Sequence, residues 1–192
     1  RSREGAPLMD SQGRITSHLS GLFYRTCNLL EKGVRPIFVF DGKPSDLKRR
    51  TIEERAERKR EAAEKLESAK ERGDLEGIRT YAQQTAHLTK EMVEESKELC
   101  RMLGVPVVQA PSEGEAQCAL MCKNGLVEAA GSQDYDSLLF GAPVMIKNLT
   151  IAGRRKMPRR NLFVEVLPER FDLQKNLARL GITRQKLVWI GI

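Results

Sequence analysis

Three short apolar runs in this chain end in acid: "IFVF" leads into Asp41, "VPVVQAP" into Glu113 and Glu115, and "VEAAGSQ" into Asp134 and Asp136. Runs of this kind, bounded by Gly, Pro and Asp, read as buried strands. In open parallel sheets ligands bind beyond the carboxyl ends of the strands, so the five acids can converge on one edge. Gathered carboxylates repel one another, and several would be driven to take up protons. A divalent cation removes that conflict. With only His18 and His87 available as imidazoles, an oxygen donor set suits Mg²⁺ or Mn²⁺ rather than zinc. The E-x-E and D-x-D spacings add a geometric expectation. Residues i and i+2 of an extended chain point to the same side, whereas at a helix start they diverge by about 200°. Each acid also has a local explanation. Ser112 and Glu115 have the spacing of a capping box, Asp41-Gly42 is a common turn, and Asp134 and Asp136 are ordinary turn residues.

An acidic pocket in a basic chain suggests phosphodiester chemistry. The chain carries net charge +7, from 33 Lys and Arg against 26 Asp and Glu. In such sites two cations activate water and neutralise the leaving oxygen, while basic side chains hold the phosphates. Lys48 and Arg55, seven apart in a highly charged stretch, share a helical face, with Lys59 one turn on. The segment from Lys147 to Arg160 holds Lys147, Arg154, Arg155, Lys156, Arg159 and Arg160 and no acid. The bland alternatives are a solvated, salt-bridged helix and a solvated loop.

The elements that must position these residues alternate. "RITSHLSGLFYRTCNLLEKG" has helical period and stops at Gly33, and "VRPIFVFDGKP" is a strand. "SDLKRRTIEERAERKREAAEKLESAKERGD" is a polar helix, expected to be poorly packed. Helical period returns from Ile78 to Gly104, followed by the strand "VPVVQAP" and a helix closed by Gly125. Strand, loop and short helix follow, then strand, basic loop and strand, and a helix over "ERFDLQKNLARLG". This is an α/β pattern with a largely parallel sheet. The four cysteines lack zinc spacing and read as reduced. No apolar run approaches ~18 residues and no signal peptide pattern opens the chain, so an intracellular protein is expected. The chain reads as a fragment: its first residues form a loop, and "ITRQKLVWIGI" stops within an element.

The stretches "MDSQGRITSHLSGLFYRT", "VFDGKP", "APSEGEAQ", "SQDYDSLLFG" and "NLTIAGRRK" together resemble the structure-specific 5′ nucleases, the flap endonucleases of archaeal type in particular. The resemblance covers nearly the whole chain. It implies a mixed, mainly parallel sheet flanked by helices, with a charged helical arch, in the 5′ nuclease or PIN-like class. It implies seven acids holding two Mg²⁺ ions, five of them Asp41, Glu113, Glu115, Asp134 and Asp136. The other two would precede Arg1 and follow Ile192. Lys48 and Arg55 match the arch pair that approaches the scissile phosphate. Arg25, Arg1 and Glu113 match residues near the substrate strand.

The resemblance divides the chain into an N-terminal nuclease region at 1–60, an arch segment at 61–76 and an internal nuclease region at 77–192. The implied activity is Mg²⁺-dependent 5′ flap endonuclease and 5′ exonuclease cleavage in DNA replication and repair, with Mn²⁺ as an alternative ion. Branched DNA is the substrate. A sliding clamp is the protein partner, through a C-terminal tail beyond this sequence. The location is the cytoplasm or nucleoid of an archaeon, or the nucleus of a eukaryote. Cleavage by the 192-residue chain alone is expected to be impaired. Two alternatives stand beside this: a non-catalytic branched-DNA-binding module of the same fold, and a phosphatase-like hydrolase with Asp134 as nucleophile.

Overall fold

The computed structural model describes residues 8–85, 88–150, 153–156 and 163–191. The chain divides into two compact units, one of residues 1–38 and 44–107, the other of residues 39–43 and 108–192.

The first unit is helical. Helix α1 (Ser17–Glu31) buries Thr26 and Leu29 and ends where Gly33 adopts φ +75°, a left-handed conformation that glycine reaches without steric cost. It packs on a later helix, Lys90–Met102, which buries Ser96 and Cys100. The buried hydroxyls are satisfied within their own helices, Thr26 Oγ1 donating to Leu22 O and Ser96 Oγ to Met92 O. His18 Nε2 and Glu95 Oε2, 2.8 Å apart, join the two helices, with the imidazole largely buried and the carboxylate half exposed.

Between them, a 3-10 turn at Asp46–Lys48 opens the long helix α2 (Arg49–Glu71). The expected charged helix is present, but it is not alone. It turns at Gly73 and packs against α3 (Leu75–Thr85). Ala62 and Ala69, seven residues apart on one face, are its buried residues, and a Cβ on Gly77 of α3 would stand 3.2 Å from that of Ala69. Small residues let the highly charged α2 approach α3 closely. The single helical period expected from Ile78 to Gly104 is two helices, α3 and α4 (Lys90–Met102). Thr89 N-caps the second, its hydroxyl accepting from Met92 N at 3.2 Å, a local stop-and-restart that periodicity alone overlooks.

The second unit carries most of the β structure. Strands β1 (Phe38–Phe40) and β2 (Val107–Gln109), whose first residues still count with the first unit, pair and advance in the same direction, with Phe38 N bonded to Pro106 O at 3.0 Å and, within the second unit, Ala110 N to Phe40 O at 2.9 Å. Helix α5 (Gly114–Lys123) follows β2. Strand β3 (Ala130–Gly131) pairs in parallel with β4 (Val144–Lys147), and β4 pairs antiparallel with β7 (Glu169–Asp172). Helix α6 (Asp136–Leu139) lies between β3 and β4 in sequence, and α7 (Leu173–Leu180) and α8 (Arg184–Ile190) follow β7. Leu138, Met145, Leu173 and Leu177 form one core cluster with Phe171, Ile182 and Leu187 around it, and Ala119, Ala130 and Ala142 form another.

The α/β class and mixed strand sense agree with expectation, in three small sheets among the described residues. Two local readings change. Gly153–Lys156, expected as basic loop, is strand β5, paired antiparallel with β6 (Phe163–Val166). "ERFD", expected to open a helix, is β7, and the helix starts only after Asp172, whose side chain accepts from Lys175 N. Both strands are stabilised by distant partners, which overrides local propensity. The four cysteines are free thiols. Among the described residues no helix is long and apolar enough to cross a membrane.

Candidate active site

The site is built where β1, β2 and β3 end. Gln109 Nε2, at the end of β2, donates to Asp41 O at 2.8 Å and Phe40 O at 3.2 Å, which locks the two strand ends together. Asp41 Oδ1 then accepts from Gly114 N at 2.7 Å, so an acid from one strand caps the helix that follows the other. The Ser112–Glu115 capping box expected from the sequence is not formed. Helix α5 begins at Gly114 with Glu113 as N-cap, and no side chain of its own caps it. With the start displaced by one residue, Ser112 lies outside the cap position, and Asp41 satisfies the free amide instead.

Two glycines make this approach possible. A Cβ on Gly114 would stand 2.8 Å from Asp41 Oδ1, and one on Gly42 would stand 2.2 Å from Ala110 O. Gly42 N donates to Ser112 O at 2.6 Å. The seam between the β1 and β2 ends is therefore closed by backbone contact, and any side chain there would open it.

Glu115, in the first turn of α5, is half-buried. Its Oε1 accepts from the Ser132 hydroxyl, and Ser132 Oγ accepts from Asp134 N at 3.1 Å. One serine thus ties the β2–α5 acid to the turn after β3. Burial pushes the Glu115 carboxyl above the usual range; the Ser132 hydrogen bond pulls it back, and repulsion from Asp136, Asp134 and Asp41 raises it further. The Cys118 thiol, one turn along α5, is also raised, by burial first and then by Glu115 and Asp41. Four acids from three strand ends therefore share one electrostatic neighbourhood, and Glu113 stands at its edge as the half-buried N-cap of α5. The D-x-D pair is not extended. Tyr135 has φ −87° and ψ 3°, and Asp136 is already the first residue of α6, so the two aspartates are set by a turn rather than by a strand.

Among the described residues, no three His, Cys, Asp or Glu side chains are arranged closely enough to hold one metal ion. The donor set nevertheless fits a hard divalent cation in type and charge. It is all carboxylate oxygen, and the Glu115 carboxyl, raised first by burial and further by the neighbouring Asp136, Asp134 and Asp41, stands where a cation would relieve both penalties.

The basic candidates fall in different places. Lys48 ends the 3-10 turn, Arg55 and Lys59 lie in α2, and Arg25 lies in α1, all exposed in the first unit. Arg154, Arg155 and Lys156 belong to β5. Arg1, Arg159 and Arg160 lie outside the described residues. Lys147 ends β4 with its Nζ 4.1 Å from the centre of the Tyr135 ring. Ser132, Gly42, Gly114 and Tyr135 were not singled out by sequence. The S-x-D spacing of Ser132 and Asp134, a turn signature, was the one available signal.

Comparison with known proteins supplies the kinship. The XPG N-terminal domain family matches residues 1–62, and the XPG I-region family matches residues 104–192. Flap endonuclease 1 of Ignicoccus hospitalis is 58% identical over 192 residues, covering 100% of this chain and 55% of that protein. The chain thus spans about half the length of the curated relatives it matches. The structure of flap endonuclease-1 from Methanococcus jannaschii superimposes with TM-score 0.67 at 42% identity, over 98% of this chain and 56% of that one. The catalytic core of Rad2 in complex with DNA substrate gives TM-score 0.61 at 32% identity, over 94% and 46%. With an N-terminal and an internal match to one family along its length, and relatives above half identity from end to end, the chain carries the N-terminal domain and I-region segments of the XPG family and is similar throughout to flap endonucleases.

Proposed function

We propose that this chain carries the nuclease centre of a divalent-metal-dependent 5′ endonuclease and exonuclease, acting on branched DNA with 5′ flaps. The observation that carries the reading is the gathering of Asp41, Asp134 and Asp136 around the half-buried carboxyl of Glu115 in a chain of net charge +7. An acidic centre within a basic protein is poised for a cation and a polyanion together. The names of the relatives, flap endonuclease 1, point the same way.

In this reading Asp41, Glu113 and Glu115 serve mainly one Mg²⁺ and Asp134 and Asp136 a second, with Glu115 shared between them. Bound there, such ions supply water activation and charge neutralisation at the leaving oxygen. The chain's own residues do the positioning. Asp41 fixes the start of α5, and Ser132 holds Glu115 against the turn of Asp134. Lys48 and Arg55 take the scissile phosphate and stabilise its developing charge. Arg25, Arg1 and Glu113 guide the substrate strand. The sliding clamp partner and an intracellular location are carried over from the family and belong to the same proposal.

The test is Asp136→Ala, assayed on a 5′-flap substrate with Mg²⁺ in a chain of the relatives' full length. Cleavage is expected to vanish while DNA affinity stays within a few fold, since removing an acid lowers repulsion toward phosphate. Normal turnover would exclude the metal-centre reading. One observation favours a rival, a non-catalytic DNA-structure-binding module: among the described residues the carboxylates are not drawn into a three-donor shell. That rival predicts salt-dependent flap binding with no metal-dependent cleavage by the unaltered protein.

A further inference from the structure

Tyr135 separates Asp134 from Asp136, and its ring is held from two strands. Lys147 Nζ, at the end of β4, stands 4.1 Å from the ring centre. Phe171 of β7 meets the ring edge-on, with centroids 5.3 Å apart and planes at 88°. The two strands are adjacent and in register, Met145 opposite Phe171 and Lys147 opposite Glu169. Met145 is fully buried and Phe171 packs on its cluster, so the grip is anchored in the core of the second unit. The turn itself has little packing of its own. Asp134, Tyr135 and Asp136 are all exposed, and Tyr135 retains 46% of its surface.

A ring face attracts an ammonium group, and ring edges pair with ring faces. Both contacts constrain the residue that sets the direction of its two acidic neighbours. We propose that Tyr135, clamped between Lys147 and Phe171, is a positioning residue that holds Asp134 and Asp136 in the geometry needed to ligate a divalent cation. The inference rests on the metal-centre reading above. It also reassigns Lys147, which the sequence grouped with phosphate-binding residues. Neither contact uses the phenol hydroxyl, so the aromatic face is what matters.

The experiment compares Tyr135→Leu, Tyr135→Phe and Lys147→Met with the unaltered full chain. Mn²⁺ binding is followed by spectroscopic titration without DNA, and amide hydrogen exchange is followed across residues 132–138. Contacts beyond the ligands typically change metal affinity by 10–100-fold, so Tyr135→Leu is expected to weaken Mn²⁺ binding by about tenfold. It should also speed exchange in the turn. Tyr135→Phe, which keeps both ring contacts, should restore both readouts. Lys147→Met should move them part-way, and adding it to Tyr135→Leu should produce no further loss. On flap DNA, kcat should fall in Tyr135→Leu with KM nearly constant. Unchanged exchange and Mn²⁺ binding in Tyr135→Leu would overturn the clamp, as would failure of Tyr135→Phe to rescue. If the unaltered chain binds no Mn²⁺, the metal reading fails. Exchange then decides the clamp alone: equal exchange in wild type and Tyr135→Leu overturns it, and faster exchange supports it.

Discussion

Helix α2 and the acidic centre of the second unit are both dense in charge, and they use it in opposite ways. Along α2 the signs alternate at helical spacing. Arg50 pairs with Glu54 at 3.1 Å, Arg60 with Glu57 at 3.4 Å and Lys70 with Glu67 at 2.7 Å, all at the surface. Water screens such pairs, and each is worth only a few tenths of a kcal/mol. At the strand ends the signs are alike, and one carboxyl is half-buried among them. The helix uses charge to remain soluble with few apolar anchors; the centre holds charge at a cost, which a bound cation and phosphate can offset. Charge density alone therefore says little about function. Whether the neighbours agree or oppose in sign, and whether water reaches them, separates the two regions.

The seam beneath the acidic centre should be the most fragile point of the comparison. In Gly42→Ala the new Cβ would meet Ala110 O at 2.2 Å, so backbone must move. Overpacking of this kind costs about 1–3 kcal/mol. A shift of the acids proposed as ligands by about 1 Å can cost roughly 100-fold in rate. Denaturant melts and single-turnover cleavage would measure both, and a stable, fully active Gly42→Ala would show that the seam does not position the acids.

A smaller effect of opposite sign is expected at Glu115. Its folded-state carboxyl binds a proton more tightly than in the unfolded chain, whose value is near 4.5. That contribution to stability is fully present below pH 4.5 and is lost as pH rises through the higher folded value. Metal-free Glu115→Gln should therefore melt a few degrees above wild type at neutral pH, with the gap closing as pH falls toward 4.5. Added Mn²⁺ should stabilise wild type more than the variant. Equal melting at pH 7.5 in chelator would show that the clustered charge carries no cost. The smallest effect belongs to the helix: Arg50→Ala should change stability by no more than about 0.5 kcal/mol. A larger loss would mean that the charge on α2 is structural after all.

Much of this was legible in order along the chain. The helical period of α1 and its stop at Gly33, the polar run of α2, and the acids following three apolar runs all depend on residues within a few positions of one another. The same holds for the acid and base inventory, which points to phosphodiester chemistry. The break before α4 was also written locally, in Thr89, but sustained periodicity on both sides concealed it.

What the sequence determined by itself was therefore the inventory of acids and bases from which the chemistry is read, the family resemblance and the elements that nearby residues specify. The tertiary structure decided which groups meet. Asp41 displaces Ser112 as the cap of α5 because the β1 end lands on the start of that helix, 73 residues away in sequence. Ser132 joins Glu115 to Asp134, and Lys147 and Phe171 grip Tyr135, through strand pairings set by register. Gly153–Lys156 becomes a strand because Phe163–Val166 completes its hydrogen bonds. Periodicity and capping patterns follow from short-range sterics and hydrogen bonding. These other contacts follow from where distant backbone segments come to rest, which the intervening residues do not encode locally.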